Sequence, residues 1–78
     1  MEKINMESVV LTVEAVNAWH GMAGQVAQAI REAGLRPEQI PDEEIWLKDD
    51  KETLVVRCQV GSMLVSMDIP AGHWSWAN

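Results

Sequence analysis

Apolar and polar residues alternate from Glu44 to Ile69 in a pattern that predicts a three-stranded antiparallel meander. The strands are Glu44–Lys48, Thr53–Val60 and Met63–Ile69, with turns at Asp49–Glu52 and Gly61–Ser62. A two-residue loop that begins with Gly suits a primed hairpin turn, whose twist matches that of its strands. Folding the chain there sets Val60 against Met63, Cys58 against Val65, Val56 against Met67, and Leu54 against Ile69. Folding at Asp50–Lys51 adds Ile45 opposite Val56 and Leu47 opposite Leu54. All these pairs are apolar. The other face carries Gln59 with Leu64, Arg57 with Ser66, and Val55 with Asp68. A slip of one residue would turn the whole apolar set to water, so the pattern specifies its own register.

Upstream, the period changes. Residues 1–7 read as a polar lead-in. Ser8–Val16 alternates with a β-branched run that favours a strand, although Val9, Val13, Val16 and Trp19 or His20 also fit a helical stripe. From Ala18 to Ala33 the spacing is helical, with Trp19, Met22 or Ala23, Val26, Ile30 and Ala33 on one stripe. Asn17 is the expected N-cap and Gly34 the stop; were the first segment helical, Thr12 would take the cap. Gly21 and Gly24 suit close packing of the helix against the sheet or against a second helix. Leu35–Glu43, stiffened by Pro37 and Pro41, connects helix to meander. After Ile69 the chain turns at Pro70–Gly72, and His73–Trp76 suits a short edge strand with both tryptophans on one side. The expected architecture is a single α+β domain over residues 1–78, in two layers. One helix packs on an antiparallel sheet in the order β-α-β-β-β, the first strand being the ambiguous one.

Composition narrows the function classes. Twelve acidic residues against six basic ones give a net charge of −6. That balance disfavours direct nucleic-acid binding and anionic membranes. Glu38, Asp42, Glu43, Glu44, Asp49, Asp50 and Glu52 crowd one short span, which reads either as a solvated rim or as a docking patch for a basic partner. No segment is apolar for long enough to span a bilayer, and Met1–Asn5 opens no secretory leader, so a cytoplasmic protein is expected.

Chemistry-bearing residues are sparse. The lone cysteine, Cys58, falls on the apolar face of the central strand, where it packs as a small hydrophobe. His20 and His73 lie far apart, neither is spaced with Cys58 as metal ligands are, and no serine occupies a nucleophile-elbow context. The Asn17–Gly24 stretch lacks the glycine spacing and the basic residue of a phosphate-binding turn. No enzyme, cofactor or metal is expected. The four tryptophans carry more weight, because Phe and Tyr are absent. Trp46, Val55 and Leu64 share the outer sheet face and, with Trp74 and Trp76, form either an exposed interface patch or a locally covered one.

These features predict a small acidic, non-enzymatic interaction module. Its partner-binding residues would be Trp46, Asp49, Asp50, Glu52, Val55, Leu64, Trp74 and Trp76. The expected partner is a protein with a basic surface, such as a nucleic-acid-handling machine, with the module its inhibitor or regulator. Phage-encoded anti-defence proteins are of this kind. A homodimer through the outer sheet face is also expected. The alternative is an oligomer that stacks a flat small molecule on tryptophans. In topology alone the chain resembles the dodecins, small flavin-storing oligomers that wrap a sheet around a helix; no motif carries the resemblance.

Overall fold

The computed structural model describes residues 1–78. Six strands and one long helix follow in the order β1 (Glu2–Ile4), β2 (Val9–Leu11), α1 (Val13–Ala33), β3 (Glu44–Leu47), β4 (Leu54–Val60), β5 (Met63–Ile69) and β6 (Trp74–Trp76). The main antiparallel sheet has the order β1-β3-β4-β5, and β2 pairs with β6 in a small second sheet. α1 packs over β4 and β5, giving an α+β fold with one helix on one face of the main sheet.

The meander has the register its alternation dictates. All seven pairs across the Gly61–Ser62 turn and both apolar pairs between β3 and β4 are present. Gly61 adopts φ 60°, the left-handed conformation a Gly-first hairpin turn requires. At the other turn Lys51 takes φ 62°, and the Asp50 carboxylate organises the loop around it. That carboxylate accepts the backbone N–H groups of Glu52 (2.8 Å) and Thr53 (2.9 Å) and the Thr53 hydroxyl (2.8 Å). Leu54, Val56, Cys58, Val60, Val65 and Ile69 are buried against the helix residues Ala15, Trp19, Met22, Val26 and Ala29. The helix residues are spaced by three and four, one stripe of a 3.6-residue period. Met67, expected in the core, is only partly buried at its margin.

Four expectations upstream are corrected. Residues 2–4 are not a lead-in: they pair with β3, Lys3 opposite Trp46 and Ile4 opposite Ile45. Ser8–Val16 divides between the two readings, with a strand over Val9–Leu11 and a helix from Val13. Thr12 caps the helix by accepting the Ala15 N–H at 3.3 Å, which leaves Asn17 inside α1. A β-branched run satisfies either period, and the cap residue decides where the change falls. Finally, Gly21 and Gly24 face solvent, with no atom within 4 Å of where a Cβ would stand, so they do not serve helix–sheet approach. Gly34 ends the helix as expected, at φ 65°, its N–H donating to the Ile30 carbonyl at 3.0 Å. Ala33, assigned to the core stripe, is exposed, and Ala29 takes that role.

Candidate functional site

The outer face of the main sheet is built from Lys3, Glu44, Trp46, Lys48, Val55, Arg57, Leu64, Ser66 and Asp68, as the registers require. Most of these are charged, and they pair with one another. Lys3 meets Glu44 at 2.9 Å and Lys48 meets Asp68 at 2.9 Å. The hydrogen bond from Lys3 holds the Glu44 carboxyl below its usual range, and the bond to Asp68 raises the Lys48 ammonium above its own. The Arg57 guanidinium lies 4.7 Å from the centroid of the Trp46 ring. Under this cover Val55 is only 6% exposed and Trp46 is half-buried. Of the expected apolar trio, Leu64 alone stands open, at 52%.

The tryptophans of the tail lie elsewhere. Trp74 and Trp76 stand opposite Leu11 and Val9 in the second sheet, with ring centroids 5.0 Å apart and planes at 84°. Such an edge-to-face pair makes no two-sided slot for a flat ligand. The Trp74 indole N–H donates to the Glu52 carbonyl at 2.8 Å, which ties β6 to the acidic turn. Glu52 and Trp74 are therefore brought together. Trp46, Val55 and Leu64 do not join them in one continuous surface. Asp49 is 92% exposed and meets only the N-terminal ammonium of Met1, at 3.1 Å, while Asp50 is committed to its turn, whose backbone bonds hold its carboxyl below the ordinary range.

A different surface carries the concentrated apolar exposure. Between the segment Met6–Leu11 and the first half of α1 lies an open cleft of about 470 Å³, walled by Met6, Val9, Leu11, Val16 and Trp19. His20 and Glu43 stand on its rim. Local structure sets each wall. The Asn5 side chain accepts the Glu7 N–H at 3.0 Å and winds Met6–Ser8 into a 3-10 turn that presents Met6 outward. The Thr12 cap starts α1 so that Val16, Trp19 and His20 follow at helical spacing. Pro37 and Pro41 then lead the chain back so that the Glu43 carboxylate accepts the Trp19 indole N–H. Met6 and Glu43 also line a neighbouring cleft with Val26, Ile40, Asp42 and Cys58.

The charge here has one sign. Neither cleft is lined by lysine or arginine. Burial, with Glu43 and Asp42 close by, pushes the Cys58 thiol up, and its S–H points to the Pro41 carbonyl at 3.6 Å. A thiol so placed is a poor nucleophile. No group of three or more His, Cys, Asp or Glu side chains is positioned to hold a metal. No helix is long and apolar enough to cross a membrane.

Sequence reading missed Met6, Val16 and Glu43 as neighbours. The available signal was Val13, Val16 and His20 on α1, an apolar flank beside Trp19 wider than one sheet face can bury. Val13 is 73% exposed. Compared with known proteins, the chain matches no family model, no curated protein and no solved structure.

Proposed function

We propose that this protein is a small non-enzymatic binding module that docks on the basic surface of a partner protein. The observation that supports it is the Met6–Trp19 cleft, apolar within and edged by Glu43 and His20, with Asp42 in the neighbouring cleft, in a chain of net charge −6. Burying apolar side chains in the cleft would supply affinity, at roughly 25 cal/mol per Å² before the costs of association. Glu43, Asp42 and the Asp49–Glu52 turn would steer the encounter and set the preference for lysine and arginine beside the docked group. An acidic module seated on a basic surface competes with phosphates for it. This reading therefore extends to an inhibitor or regulator of a nucleic-acid-handling protein, phage anti-defence proteins being one such class.

The test compares wild type with Val16→Lys and with Asp49→Lys/Glu52→Lys in pull-downs from host extract, followed by surface plasmon resonance on the recovered partner. Asp50 is left intact because its carboxylate builds the turn. Val16→Lys should speed dissociation, since it sets a charge in an apolar wall. The double reversal should slow association and remove most of its salt dependence. A partner held equally by all three proteins overturns the reading. A small molecule released from the purified protein on denaturation would instead favour a ligand-binding role, for which the cleft volume is adequate.

A further inference from the structure

The two edges of the main sheet are unlike. β1 is three residues long and carries Glu2 and Lys3, the second of which is paired to Glu44, so it is short and charged, as protected edges are. β5 runs seven residues with no proline, no lysine and no break in its pairing with β4. Its one charge, Asp68, is drawn by Lys48 across its own sheet at 2.9 Å, away from the open edge. Met63 and Leu64, at 48% and 52% exposed, add apolar surface on both sides of that edge.

The hairpin determines which backbone groups are free. Across a two-residue turn the flanking pair, Val60 and Met63, is hydrogen-bonded, and the ladder alternates from there. Met63, Val65, Met67 and Ile69 therefore bond to β4. Leu64, Ser66 and Asp68 direct their N–H and C=O groups outward. These three are symmetric about Ser66.

We propose that β5 is the surface through which two copies of this chain join, antiparallel about a two-fold axis at Ser66, into one continuous sheet. Ser66 then stands opposite Ser66 of the second copy, and Leu64 opposite its Asp68, so every outward backbone group is paired. On the helix side Val65 meets Met67 and Met63 meets Ile69 of the second copy, apolar against apolar throughout. The charges agree with this arrangement. The acidic turn beyond Leu47 and Leu54 lies at the Ile69 end of β5, so the axis sets the acidic turns of the two copies at opposite ends of the joined sheet, each at the end that holds the other copy's uncharged Gly61–Ser62 turn. α1 lies over β4 and β5, so the two helices come to the same face of the joined sheet, one on each side of the axis.

Sedimentation across micromolar to millimolar concentration should show a monomer–dimer equilibrium. Ser66→Lys, at an exposed position on the outer face, should weaken the dimer by about tenfold or more, because like charges then face each other across the axis, and leave the thermal melt unchanged at dilutions where the wild type is monomeric. Ser66→Cys should form a disulfide-linked dimer under mild oxidation. Opposed Cα atoms of a hydrogen-bonded pair lie about 5.5 Å apart, within disulfide reach. Leu64→Cys, which faces Asp68 and not itself, should cross-link far more slowly. A strict monomer overturns the proposal, and so does a dimer indifferent to Ser66→Lys. Equal cross-linking of the two cysteine variants overturns it as well.

Discussion

The Arg57 guanidinium lies 4.7 Å from the Trp46 ring centroid, and this contact closes the outer sheet face over Val55. Arg57 works here through its stem and its planar head alike, so Arg57→Ala removes packing as well as charge. The expected loss is ~0.5–2 kcal/mol in denaturant melts, with Trp46 emission shifted to the red as water reaches the ring. Arg57→Lys should recover only part of it, because an ammonium covers the ring less well.

Val56 is fully buried between Ile45 on one neighbouring strand and Met67 on the other. Val56→Ala should cost ~1–3 kcal/mol through lost burial and the residual cavity. Val10→Ala, at a position 54% exposed, should change the same melt by less than about 0.5 kcal/mol.

Gly24 sits within α1 with open space where a side chain would begin. Gly24→Ala should therefore stabilise the fold by ~0.5–1 kcal/mol, through helix propensity and a less flexible unfolded chain. Circular dichroism melts check this directly.

Acid should weaken the protein through the Asp50 turn and the Glu44–Lys3 pair. Backbone hydrogen bonds lower the Asp50 carboxyl, and the Lys3 bond lowers that of Glu44. A carboxyl lowered on folding contributes stability above its unfolded value, near 4, and loses it as pH falls through the folded one. Lys48, raised by Asp68, has the opposite sign: its contribution holds below about 10.4 and fades as pH rises beyond it. Melting temperature should fall from about pH 5 to about pH 3, and Asp50→Asn should start lower at neutral pH and fall less.

The meander was legible because alternation and turn chemistry agree: Gly61 supplies the turn, and eight apolar side chains flank it in register. Val9–Val16 was not, since β-branched residues suit both periods and only the Thr12 hydroxyl, through its bond to Ala15, decides between them. β1 escaped notice because three residues with one apolar side chain carry no period. The outer face misled for a different reason. Trp46 and Val55 read as apolar positions either exposed or covered by another segment, yet it is long side chains of the same sheet face, Arg57 above all, that cover them. The Met6–Trp19 cleft depends on contacts between segments distant in sequence, so local spacing gave only its α1 wall.

The second sheet joins residues 9–11 to 74–76 through just three pairs. Closing it orders nearly the whole chain for little ladder, whereas the meander and α1 form from neighbours. In native-state hydrogen exchange, the amides of Thr12 and Ala77, which donate to His73 and Ser8 across that ladder, should exchange through a partial opening that leaves β4 protected. Such an opening frees the Val9 and Leu11 wall of the cleft while Trp19 stays seated on the core. The docking surface thus has one fixed wall and one that can adjust, and its occupant would be accommodated by the motion of the second sheet.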